Sequence, residues 1–194
     1  MKPTTALLAA CTFLVSGCVS FSGLSPTSNY ADFGDNSIIV LGVTRPAGIH
    51  IYKGDQVGDS WLRDNLTVTL NTSPVDGYIV ANMAPRSGSK LYGIGTIIPG
   101  WDGNFGMLGP CQNDRAMTFQ APAGKVVYVG DLELDRNAGI RFTAANIEKA
   151  RAHLKVRFPL LANRLVQQGF AELKTNYGSA TRNLTCNNKP MSPG

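Results

Sequence analysis

Histidine is nearly missing from this chain, with only His50 and His153 among 194 residues. Two isolated imidazoles make a poor zinc set, and neither H-E-x-x-H nor G-x-S-x-G occurs. No residue is therefore nominated as catalytic or as a metal ligand. Acidic side chains are also sparse, 13 against 18 lysines and arginines, for a net charge of +5. Such an excess suits anionic headgroups or cell-wall carboxylates, although it also serves plain solubility. Without a nucleic-acid-binding motif, the charge does not point to DNA or RNA. Cysteine is limited to four positions with no C-x-x-C spacing, which argues against a dithiol redox pair. Long apolar runs are missing but for one near Met1, whose core, Ala6 to Val15, is too short for a bilayer-spanning helix.

That run is where the sequence becomes informative. Lys2 precedes it, no acid interrupts it, and it closes on Val15-Ser16-Gly17-Cys18. These residues resemble the lipobox of bacterial lipoproteins. The resemblance implies a signal peptide over residues 1–17, cleavage before Cys18 and a covalent lipid on its thiol. It also implies attachment to a membrane through that lipid and a cell-envelope address. Val19 after the cysteine, in place of Asp, points to the outer membrane, and the chain is expected to face the periplasm. No other cofactor is expected. Residues 18–36 are rich in Ser, Gly and Asn and read as a tether with a typical reach of about 23 Å. With Cys11 lost in the signal peptide and Cys18 lipidated, Cys111 and Cys186 remain. A disulfide between them is the simplest assignment in an oxidising compartment. It would close a loop of about 75 residues and contribute roughly 4 kcal/mol by chain entropy.

From Ser37 the apolar period becomes two. Ser37 to Val43 is a nearly continuous apolar run of strand length. Ile49 and Ile51 alternate with His50 and Tyr52, and Leu66, Val68 and Leu70 alternate with Thr67 and Thr69. Gly77 to Met83, Lys90 to Ile98, Met117 to Gln120 and Lys125 to Asp135 are further strands. In the last of these, Val126, Tyr128, Leu132 and Leu134 are expected on one face. A turn over Arg136 to Gly139 leads to a return strand with Ile140 and Phe142 inward. The 21 glycines and 11 prolines favour such short strands. The expected fold is α+β, an antiparallel β-sandwich of about eight strands over residues 37–143. At Thr143, a plausible N-cap, the period becomes helical. Ile147, Ala150, Leu154, Phe158, Leu161 and Leu165 form one apolar stripe, which Pro159 breaks into a kink or two abutting helices. This broken amphipathic helix is expected to end near Gly169. A final strand over Phe170 to Thr175 and a disulfide-pinned tail complete residues 144–194.

The segment Thr118-Phe119-Gln120-Ala121-Pro122-Ala123-Gly124-Lys125-Val126-Val127-Tyr128-Val129-Gly130-Asp131 resembles a strand-turn-strand unit of small bacterial β-sandwich lipoproteins of unknown function. It implies a β-sandwich on a lipid anchor and no activity.

Four groups of residues invite a chemical reading. Asp131, Glu133 and Asp135 alternate along one strand, as a cation site, an acid/base pair, or a solvated face countered by Arg136 or Arg141. Asp102-Gly103-Asn104 resembles part of a calcium loop, but a glycine-rich turn explains it as well. Gly93 and Gly95 lack the third glycine and the following helix of a phosphate cradle. Lys149, Arg151, Lys155 and Arg157 load the helix with positive charge, either as a solvated face or as a partner surface. The expected function is a non-enzymatic binding or structural module for an envelope protein or peptidoglycan. A periplasmic hydrolase with its site in the Trp101 loop is the alternative.

Overall fold

The computed structural model describes residues 33–100, 108–135, 139–144 and 146–177, without the side chains of 65–67. Cys18, Cys186, the Trp101 loop, Arg136 and the Leu66 side chain lie outside the described residues. The strands are β1 (Ser37–Val43), β2 (Ala47–Val57), β3 (Ser60–Thr72), β4 (Tyr78–Met83), β5 (Lys90–Pro99), β6 (Arg115–Phe119), β7 (Val126–Asp135), β8 (Gly139–Thr143), β9 (Leu165–Gln167) and β10 (Ala171–Asn176). The helices are α1 (Ile147–Arg157) and α2 (Pro159–Ala162). The class is α+β, as the sequence predicts.

The architecture differs from an antiparallel sandwich. One sheet runs β4-β1-β7-β8, with β9 also on β7, and the other closes into a barrel, β10-β3-β2-β5-β6. Strand β1 pairs parallel to β7, β9 is parallel to β7, and β10 is parallel to β3. The open sheet therefore separates two apolar layers. On one side Ile38, Val40, Val126 and Tyr128 meet Ala150, Leu154, Phe158 and Leu161 of the helices. On the other, Ile39, Leu41, Val127 and Leu132 meet Ile49, Ile51, Ile94 and Met117 of the barrel wall. All of β1 is buried, which is why its sequence is apolar apart from Ser37, whose hydroxyl donates to Lys125 O.

A bulge in β7 corrects the expected face pattern. Val40 pairs with Tyr128 but Leu41 with Gly130, so Val129 is an extra residue. Gly130 turns at φ 133°, and a Cβ there would press on the Thr143 carbonyl at 2.8 Å. Beyond the bulge, Leu132 and Leu134 face the barrel, away from Val126 and Tyr128. The same edge of β7 changes partners there, pairing β9 over Val126 to Tyr128 and β8 from Asp131 onward. A register shift between Ile51 and Tyr52 likewise sends Leu70 to the sheet–barrel core and Val68 toward the barrel lumen.

The lumen is filled by Trp61 and Tyr52 with Leu91 and Ala116. Three glycines make room for the two large rings. A Cβ on Gly54 would collide with the Trp61 indole, one on Gly93 would stand 2.6 Å from it, and one on Gly95 would stand 2.6 Å from Tyr52.

The helix breaks where Pro159 predicts. Phe158 leaves helical geometry at φ −142°, its N–H still donating to Leu154 O at 2.7 Å, and Pro159 starts α2. Two expectations fail nearby. Thr143 ends β8, and Asn146 stands at the N-cap position. Helix also does not continue to Gly169, because Leu165–Gln167 pairs with the open edge of β7. The segment after residue 143 is thus woven into both sheets, supplying β9 and the strand that closes the barrel. Phe33, expected in the tether, is buried in the helical layer.

Replacing Gly93 with Ala is expected to cost about 1–3 kcal/mol by overpacking Trp61. Gly48→Ala, whose Cβ would meet Ile98 at an ordinary 3.5 Å, is the control. Urea titration of both variants checks this, and equal midpoints would contradict the described packing.

Candidate functional site

The carboxylate row on β7 does share a face, and Val126 and Tyr128 stand on it too, because of the bulge. Its members differ in environment. Asp131 is buried, packed directly on Gly42, and accepts a 2.8 Å hydrogen bond from Asn146 Nδ2. Glu133 lies 3.9 Å from Arg141, as expected, and Asp135 is exposed. Asn146 therefore spends its amide on Asp131 and makes no side-chain cap on α1. Burial first, and then the Asp131 carboxylate, push the Tyr128 phenol far above its ordinary pKa. Tyr78 is raised for the same two reasons. These contacts join the start of α1 to the sheet. Among the described residues no three His, Cys, Asp or Glu side chains converge as a metal site.

His153 stacks on Tyr78 with ring centroids 4.5 Å apart. Burial lowers its pKa, opposed by Asp76 and reinforced by Arg157. His50 is lowered mainly by burial as well, with the Asn71 side chain raising it in opposition. A depressed imidazole binds protons more readily in the unfolded chain. Stability is then complete above the unfolded pKa near 6.5 and is lost as pH falls toward the folded pKa. The urea midpoint is expected to fall between about pH 7.5 and 5.5, and His153→Phe, which keeps a ring on Tyr78, should flatten that slope. An unchanged slope in His153→Phe would assign the effect elsewhere.

The four cations nominated on the helix do not form one free patch. Arg151 donates to the carbonyls of Ala162 at 2.9 Å and Leu165 at 3.1 Å and pairs with Glu148. It ties α1 to the end of α2 and the start of β9. Arg157 pairs with Asp76 at 3.0 Å, beside β4. Lys149 and Lys155 alone of the four are exposed.

Sequence reasoning missed a charged cleft on the barrel, about 440 Å³ in volume. Lys53, Asp55, Arg63, Asp64, Arg86 and Lys90 line it, four cations against two carboxylates. Arg86 donates to Gly54 O at 3.0 Å and pairs with Asp55 at 3.4 Å, while its buried Nε has no partner. Arg63 lies with its guanidinium carbon 3.4 Å from the Tyr52 ring centroid, a cation–π contact, and its Nε is likewise unpartnered. With Lys53 and Lys90 beside them, the cleft carries an excess of cations that suits an anionic group. The signal was present in the two-residue turn Gly58-Asp59, with Gly58 at φ 61°, which pairs Gly54 with Arg63.

Cys111 is held beside the place where β10 ends. Thr175 Oγ1 donates to Cys111 O, the Cys111 N–H donates to Asp114 Oδ2 at 2.8 Å, and the Tyr177 N–H donates to Gln112 Oε1 at 2.9 Å. Gly93 and Gly95 serve the lumen rings, not a phosphate. Asp102, Asn104 and the hydrolase site expected with them fall outside the described residues.

No protein-family model, curated protein or solved structure matches the chain.

Proposed function

We propose that this chain is a lipid-anchored protein of the bacterial cell envelope, held through Cys18 at the periplasmic face of the outer membrane. It acts as a non-enzymatic binding module for an envelope protein or the cell wall. The anchor rests on the resemblance of Val15-Ser16-Gly17-Cys18 to a lipobox. The binding reading is supported chiefly by the barrel cleft, where Lys53, Arg63, Arg86 and Lys90 outnumber Asp55 and Asp64. Its lining comes from β2, β3, β5 and the β4–β5 connection, and none from the helices. Cell-wall peptides carry carboxylates, and a cationic cleft raises their local concentration. The partner surface moves from the helix to the barrel because Arg151 and Arg157 are occupied within the fold.

The Cys111–Cys186 disulfide belongs to the same proposal. Nine residues after Tyr177 can span at most about 32 Å, ample to return Cys186 to the loop beside β10.

Three measurements test this reading. Cys18→Ala should release the chain from membranes or leave its precursor uncut, and a mature, membrane-bound variant would refute the anchor. Lys53→Glu with Lys90→Glu should abolish in-cell crosslinks or co-sedimentation with purified cell wall while leaving the fold intact. Unchanged capture in both assays would remove the cleft from consideration. Both Cys111 and Cys186 should resist alkylation until a reductant is added.

A further inference from the structure

The outer surface of the helical layer carries apolar side chains that the fold does not use. Val156, in the last turn of α1, is 81% exposed, and Leu160 of α2 is 57% exposed. They flank the bend at Phe158, and exposed Ala152 lies one turn before Val156. Lys149 and Lys155 are exposed on the same helix, whereas its acid, Glu148, is engaged by Arg151. The helix is thus apolar toward the sheet and mixed apolar and basic toward the outside. That composition suits a surface resting in a headgroup layer.

The path of the chain supports the same side. Phe33, the first described residue, is buried among Ile38, Ala150, Leu154 and Leu161, and Arg164 lies 4.4 Å above its ring. The segment leading back to Cys18 therefore meets the fold in the helical layer. Fourteen residues lie between Cys18 and Phe33, so the fifteen steps span at most about 54 Å however they run.

We infer that the outer helical face, centred on Val156, Leu160, Lys149 and Lys155, is a contact surface for an anionic lipid bilayer. This rests on the lipid-anchor reading for its setting but not for its chemistry. The anchor retains the chain, and the helical face sets its orientation, apolar side chains among the headgroups and lysines on the phosphates. The barrel cleft is then left to a partner approaching from solvent.

The test uses the mature chain from residue 18 onward with Cys18→Ser, which carries neither the lipid nor the apolar run Ala6 to Val15, and vesicles with and without phosphatidylglycerol. Co-sedimentation is expected with anionic vesicles at low salt and much less with phosphatidylcholine alone. Lys149→Glu with Lys155→Glu should lower the partition coefficient at least about tenfold. Val156→Asp with Leu160→Asp should also abolish binding, with circular dichroism confirming the fold of both variants. Emission from Leu160→Trp should shift to the blue on adding anionic vesicles. No vesicle binding, equal binding to neutral lipid, or wild-type binding by either double variant would overturn the inference. Crosslinks from this face to a protein without any vesicle binding would overturn it too. The anchor fails separately: a wild-type chain that is never acylated in cells, while the Cys18→Ser form still binds anionic vesicles, removes the anchor and leaves the surface standing.

Discussion

Parallel strands cannot be joined by a tight turn, so the β1–β7 ladder brings Ile38 beside Val126 only across a long excursion of chain. That excursion is the barrel: β2, β3, β5 and β6 all lie between the two central strands. Because the paired strands are buried on both faces, each face must be covered, one by the barrel wall and the other by the helices. The bulge at Val129 and Gly130 lets one strand serve both layers. It turns Leu132 and Leu134 toward the barrel and leaves Asp131 on the helical side, where Asn146 receives it.

Much of this was legible in the residues, and the reasons for the rest are specific. Alternation placed the strands well, since a half-buried strand has the same period in a sandwich and in a barrel. Closure was not legible: it depends on β10 pairing with both β3 and β6, contacts remote in sequence. Pro159 announced the helix break because its ring constrains Phe158 locally. Leu165 kept its place in the apolar stripe although it sits in a strand, since the same buried layer lies beneath both elements. Alternate glycines at 93 and 95 gave a signal of a different kind, a groove cleared for Trp61 and Tyr52.

Charge was harder to read. Arg151 and Arg157 look like a surface patch with Lys149 and Lys155 until their carbonyl and carboxylate partners are known. The barrel cleft gathers Lys53, Arg86 and Lys90 from separate strands and connections, so only the hairpin register could have hinted at it. Three carboxylates in alternation suggested one site, yet burial gives Asp131 a structural task and leaves Asp135 in solvent. The molecule divides its polar surface between two layers that share no lining residue: lysines on the helical side and a cleft with an excess of cations on the barrel.

The position of β10 in the chain has a consequence for assembly. It is the final described element, and it fills the gap between β3 and β6. In a chain emerging from its N-terminus, every other stave exists before this one, and two strand edges stay open meanwhile. Trp61, whose backbone partner is Thr175, lies beneath that gap until the end. The chain must therefore be nearly whole before the barrel can shut. The last stave to be made is the one that seals the wall.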